Sequence, residues 1–139
     1  MLEREFERLY YKFRANYCKN LFAGVKEGSL SPTDSYCLEV IFLLKRPTVN
    51  EFAEYVNISL PNASYRINKL IQKGYIKKLV SEYDKREYHL EVTDKFLSQY
   101  GANAAFNTKL MSRIREKFSP EEIEGLELLI KRIVDEMME

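Results

Sequence analysis

The stretch Ser59-Leu60-Pro61-Asn62-Ala63-Ser64-Tyr65-Arg66-Ile67-Asn68-Lys69-Leu70-Ile71-Gln72-Lys73-Gly74 decides how the 139-residue chain is read. Serine is a residue type that caps helices, and Pro61 suits a first turn, where a missing N–H costs nothing. Ala63, Ile67, Leu70, Ile71 and Gly74 then recur at helical spacing and form an inward stripe. A stripe confined to one face leaves Asn62, Tyr65, Arg66, Lys69 and Lys73 pointing elsewhere, as a polar, aromatic and basic row. Such a row is what a helix needs in order to lie in a DNA major groove.

Working outward, Thr48 with Glu51 three residues later predicts a capping box, and Val49, Phe52, Ala53 and Val56 define a short helix before Asn57, which tolerates a left-handed cap. Two short helices joined by a tight turn result. Upstream, Ser31-Pro32-Thr33-Asp34 opens another helix, with Asp34 near its positive end and Leu38, Ile41 and Phe42 as its expected buried face. Pro47 ends whatever precedes it. Downstream the period changes to that of strands: Tyr75, Ile76, Leu79 and Val80, then Tyr88, Leu90 and Val92, predict a hairpin around the charged tip Glu82-Tyr83-Asp84-Lys85-Arg86-Glu87. His89 falls between apolar strand positions and is expected to face solvent.

The ends of the chain read as long helices. Leu2, Phe6, Leu9, Phe13, Tyr17 and Leu21 form a continuous stripe ending near Gly24 or Gly28. Thr93-Asp94 restarts a helix of about 25 residues with Gly101 as a tolerated weak point. Ser119-Pro120-Glu121-Glu122 then caps a last helix, whose Ile123, Leu126, Ile130, Ile133 and Met137 step like a seam against a partner helix. These terminal stripes exceed what a core of roughly 65 residues can cover. Mutual burial across a two-fold axis and an intramolecular bundle are the two ways to cover them; the first sets two copies of the 59–74 helix about 34 to 36 Å apart, matched to a pseudo-palindromic duplex.

Charge sharpens the location. The chain carries 22 basic and 21 acidic side chains, a net charge of +1, so no global polyanion signal exists. Within residues 62–86, however, Arg66, Lys69, Lys73, Lys77, Lys78, Lys85 and Arg86 face only Glu82 and Asp84. That segment reads as a cationic face or as an ordinary solvated surface. Asp84 can accept hydrogen bonds from Arg86 or from nearby backbone, ordering a cation at the hairpin tip for a narrow minor groove. Lys73, Lys77 and Lys78 suit phosphate contacts, or plain surface positions, better than base reading.

Composition excludes much else. The opening residues alternate charge with apolar side chains, unlike a secretory leader, and Val40 to Leu44 cannot span a bilayer, so a soluble cytoplasmic protein without a membrane partner is expected. Two cysteines and one histidine make neither a disulfide framework nor a four-ligand zinc site. No nucleophile has a base at useful spacing, and neither catalysis nor a cofactor or metal is expected. For Cys18 two readings stand, a peroxide-sensing thiol and a small buried hydrophobe; no adjacent cation clearly lowers the thiol pKa, and the second is favoured. Cys37 reads as core. Phe13, Tyr17 and Tyr36 either line a ligand cavity between the first two helices or are simply core aromatics.

Helix order and residues together resemble the MarR family of bacterial transcription regulators over nearly the whole chain. The resemblance rests on Ser59-Leu60-Pro61-Asn62-Ala63-Ser64-Tyr65, then Ile67, Leu70, Gly74 and Lys78, and on Asp84-Lys85-Arg86 with Val92-Thr93 as a D-x-R wing. It implies a mainly α fold with a small β-hairpin wing: one domain over 1–139, with a winged helix-turn-helix lobe at 31–95 and dimerisation helices at 1–30 and 96–139. It further implies a homodimeric repressor of double-stranded DNA, released by a small phenolic or amphipathic effector. By position, Ser59, Pro61, Asn62, Tyr65 and Lys69 would face the major groove and Arg86 would enter the minor groove, with Arg66 and Lys85 as further DNA-binding residues. The chain departs from the family pattern at Tyr65 and Lys78, where arginine is usual, and at Phe96, where glycine is. A redox-sensing regulator acting through Cys18, and a winged-helix module binding an acidic protein, are the competing readings.

Overall fold

Each helix of the central lobe begins at a side-chain cap that the sequence specifies. Ser31, Thr48 and Ser59 all have extended backbones, and their hydroxyls accept from the backbone N–H groups of Asp34, Glu51 and Asn62 respectively. The computed structural model describes residues 1–20, 30–80, 82–84, 86–99 and 101–138. Its elements are α1 (Leu2–Asn20), α2 (Pro32–Leu44), α3 (Val49–Val56), α4 (Leu60–Gln72), β1 (Ile76–Val80), β2 (Tyr88–Val92), α5 (Asp94–Gln99), α6 (Gly101–Lys117) and α7 (Pro120–Met137). Leu21 and the expected end of the first helix near Gly24 or Gly28 lie outside the described residues.

Two compact units result, Met1–Ala102 and Asn103–Glu139. In the first, Cys37, Leu38, Val40 and Ile41 of α2, Phe52 and Ala53 of α3, and Ala63, Ile67 and Leu70 of α4 share one core with Tyr75, Ile76, Leu90 and Phe96. Phe42 corrects the expectation of burial, since it is 46% exposed while Cys37 and Val40 turn inward instead. Its ring still leans on Phe96, with centroids 5.6 Å apart. Phe96 itself is fully enclosed, so the large side chain at this position fills core volume.

Left-handed residues make the turns. Asn57 (φ 55°) ends α3, and the N–H groups of Asn57 and Ile58 donate to the Glu54 and Ala53 carbonyls. Gly74 does the same for α4: its N–H donates to Ile71 O while that of Tyr75 donates to Leu70 O. Gly74 is therefore a terminator outside the helix rather than part of the inward stripe, with φ at 82°. A Cβ there would meet only Lys95 Cδ at 3.9 Å, so the conformation, and not space, demands glycine. Gly74→Ala is expected to cost about 1 kcal/mol in a denaturant melt; a neutral result would contradict the left-handed assignment.

The hairpin pairs antiparallel, with Ile76 opposite Val92 and Val80 opposite Tyr88. It is tied to the lobe at both ends. Leu90 N–H donates to Pro47 O at 2.8 Å, Thr48 bridges to His89, and Thr93 Oγ1 donates to Gly74 O at 2.6 Å. His89 is accordingly half-buried, its Nδ1 2.7 Å from Arg46 O, where alternation alone had placed it in solvent.

The expected long helix after Thr93 is described as α5 and α6, on either side of Tyr100. In the second unit Ser119 and Glu122 form the full reciprocal capping box that opens α7. Met111 and Ile114 of α6 and Ile123, Leu126, Ile130 and Val134 of α7 line an open apolar groove of about 670 Å³. On α1, Leu2, Phe6, Leu9 and Phe13 are exposed as well.

Candidate nucleic-acid interface

The cap at Ser59 sets which side of α4 meets solvent. With Ser59 Oγ accepting from Asn62 N–H at 3.3 Å and Ala63, Ile67 and Leu70 directed into the core, the opposite side must turn outward. Ser59, Pro61 and Asn62 are exposed, Tyr65 is 69% exposed, and Arg66 is half-buried. The amino-terminal half of α4 thus presents a hydroxyl, an amide, a phenol and a guanidinium on one surface.

The carboxy-terminal half differs. Lys69 Nζ and Lys73 Nζ, expected at the major groove and at phosphate or plain surface positions, lie 3.5 Å and 3.4 Å from the same oxygen, Asp34 Oδ2. Asp34 is 1% exposed. Burial by itself would raise its pKa, but hydrogen bonds from the Ser31 backbone and side chain, with the Lys69 and Lys73 charges, hold the carboxyl below its ordinary value. Lys69, its side chain 41% exposed, therefore stands within ion-pairing distance of Asp34.

At the wing, Asp84 Oδ1 accepts from the Arg86 backbone N–H at 2.9 Å, and Glu87 N–H donates to Asp84 O, so the carboxylate orders the tip through the backbone. Arg86 is exposed and Lys85 lies outside the described residues. A cleft of about 390 Å³ connects Asp84 and Arg86 to Thr48 and Asn50 of the α3 start and to Leu60 and Ser64 of α4, bringing wing tip and helix onto one side. At the base of the wing, Glu91 accepts from Arg46 and pairs with Lys77 at 3.4 Å. The Arg46 hydrogen bond, followed by Lys77, holds the Glu91 carboxyl below its usual range. Lys78 Nζ sits over the Tyr88 ring at 4.4 Å. Several of the cations counted in residues 62–86 are thus engaged within the protein.

Tyr17 of α1 lies within electrostatic reach of Tyr36 and Glu39 of α2. Burial foremost, then the charge of Glu39 and smaller effects of Cys18 and Tyr36, push the Tyr17 hydroxyl up to about 12. The Glu39 carboxyl pKa is raised by burial, and its Oε2 is enclosed with no hydrogen-bond partner among the described residues. Phe13 and Tyr36 are exposed, as is Cys18, which corrects the reading of that thiol as a core hydrophobe. Cys37 is the buried cysteine, its thiol pKa raised mainly by desolvation. Asp34, Arg46 and Glu39 are the residues the sequence reading missed as site elements. Asp34 and Arg46 find partners far away in sequence, and only Asp34 carried a local signal, as a cap. Among the described residues, no cluster of His, Cys, Asp or Glu is placed to hold a metal, and no helix is long and apolar enough to cross a membrane.

Helix, tight turn, outward-facing helix and ordered hairpin define a winged helix-turn-helix protein. Residues 29–87 match the model of the MarR family. It is 26% identical over 97 residues to the HTH-type transcriptional regulator Hpr of Bacillus mycoides, an alignment covering 70% of this chain and 46% of Hpr. The chain thus spans about half the length of that curated relative. Among solved structures it resembles a MepR variant from a multidrug-resistant S. aureus clinical isolate, with a TM-score of 0.61 at 14% identity, covering 99% of this chain and 98% of MepR. It also resembles a MarR variant from E. coli complexed with operator DNA, with a TM-score of 0.53 at 17% identity, covering 93% of each chain.

Proposed function

We propose that this protein is a cytoplasmic transcriptional repressor that binds double-stranded DNA sequence-specifically as a homodimer. The observation that carries the reading is the outward surface of Ser59, Asn62, Tyr65 and Arg66 on the second helix of the turn motif, beside a wing tip ordered by Asp84. In this reading α4 enters the major groove, with Asn62 and Tyr65 at base edges, and Arg86, with Lys85 beside it, enters the flanking minor groove. A phenol cannot make the bidentate guanine contact of an arginine, so Tyr65 gives this protein its own operator preference. The operator complex of the similar MarR structure supports duplex DNA as the ligand.

Dimerisation through residues 1–30 and 96–139 is supported by the uncovered stripe of α1 and the open apolar groove of α6 and α7. The electrostatic proximity of Tyr17 and Tyr36, with Phe13 exposed one turn before Tyr17 on α1, supports a small amphipathic or phenolic effector that releases DNA. If each protomer neutralises about four phosphates, log K against log salt falls with a slope of about −7 for the dimer. Filter binding of a duplex across a salt series, with heparin as competitor, measures this. A flat line, or equal preference for heparin, would mean that the basic face serves an acidic protein partner instead.

A further inference from the structure

The seven cations of residues 62–86 are not equally available to phosphate, and one buried carboxylate determines which are. Asp34 Oδ2 receives the Ser31 N–H at 3.3 Å together with the Lys69 and Lys73 ammoniums, which stand one turn apart on α4. Asp34 belongs to α2, so this cluster joins the cap of one helix to the carboxy-terminal half of another. Its carboxylate is almost completely enclosed, whereas the two lysine side chains are each about a third to two-fifths exposed. Leaving such a carboxylate without its ammoniums costs far more than leaving a half-exposed lysine without a carboxylate. A DNA phosphate must therefore compete with a partner that cannot be released cheaply.

We propose that Asp34 is a positioning residue for duplex recognition, holding Lys69 and Lys73 off the phosphate backbone so that α4 reads DNA through its amino-terminal half. This rests on the DNA-binding reading above and refines it, because it removes two of the lysines that charge counting assigns to the interface. It also gives those lysines a second role. Drawn to one fixed oxygen, they set the rotation of α4 about its axis, and with it the direction of Asn62 and Tyr65. Phosphate contacts carry no sequence information, so withholding two of them per protomer favours specific over non-specific binding.

The test uses the full chain with a random-sequence duplex and a duplex selected from a random library. Asp34→Asn keeps the shape and a capping oxygen but releases both ammoniums. Its salt slope is expected to steepen by up to about 1.8 per protomer, with non-specific affinity rising and the selected-to-random ratio narrowing several-fold. Lys69→Gln/Lys73→Gln, which retains donors to Asp34, is expected to keep the wild-type slope. An unchanged slope in folded Asp34→Asn, or a shallower slope in the double glutamine variant, would overturn the proposal. A merely structural role for Asp34 would lower the melting temperature without steepening the salt response. Amine acetylation read by mass spectrometry gives a measure that needs no DNA: Lys69 and Lys73 should label several-fold faster in Asp34→Asn than in the wild type, and equal rates would refute the inference. If instead the wild type itself shows no salt dependence, the DNA-binding reading fails, a result separable from failure of the Asp34 variants alone.

Discussion

Arg86→Ala is expected to lower duplex affinity about 10- to 100-fold without changing the melting transition, each factor of ten being about 1.4 kcal/mol. The wing tip is built so that the side chain of Arg86 is not needed to fold it. Its shape is held by the Asp84 carboxylate, which accepts from the backbone N–H of residue 86, a donor that alanine retains. The exposed guanidinium is therefore free to be removed with little structural cost. In a dimer both wings lose a charge-assisted contact at once, which makes this the largest single effect at the interface. Electrophoretic mobility shift with the selected duplex, beside a thermal melt, measures both quantities. Unchanged affinity would mean that the wing does not reach DNA, while α4 could still do so.

Phe52→Ala should be the most damaging change to the lobe, costing about 3–5 kcal/mol. Phe52 is completely enclosed, and α3 is only eight residues long, too short to hold its place without packing. It rests in the core shared by α2, α4 and the wing strands, so the cavity would loosen the frame that orients α4. For a lobe of this size the melting temperature should fall by roughly 12 °C or more. Tyr55→Ala on the exposed side of the same helix should shift stability by no more than about 0.5 kcal/mol. Denaturant melts followed by circular dichroism compare the two. Similar losses for both would show that α3 is held by its caps and not by burial.

The two predictions differ in how far they could be read from sequence. Phe52 belongs to a helical repeat with Val49, Ala53 and Val56, and periodicity alone identified its inward direction. The role of Asp84 was visible as a choice between the Arg86 side chain and local backbone, and the structure selects the backbone. Caps at Ser31, Ser59 and Ser119 and the left-handed turn at Asn57 were equally legible. All of these are interactions between residues a few positions apart, which the chain specifies wherever it folds.

Contacts over long separations were hidden. Nothing in the spacing of Asp34, Lys69 and Lys73 reveals that they share one oxygen, nor that Arg46 reaches Glu91 and accepts His89 at its carbonyl. Phe42 followed the helical pattern of its neighbours and still ended half in solvent, because Phe96 from a distant helix covers only part of it. From the sequence alone came the order of helices and strands, the caps that start them, and the outward direction of Asn62 and Tyr65, because each depends on local backbone geometry and on the period of apolar residues. Tertiary structure alone decided which lysines remain available to phosphate, because a charge is neutralised by whatever partner packing brings within reach, whatever its distance along the chain.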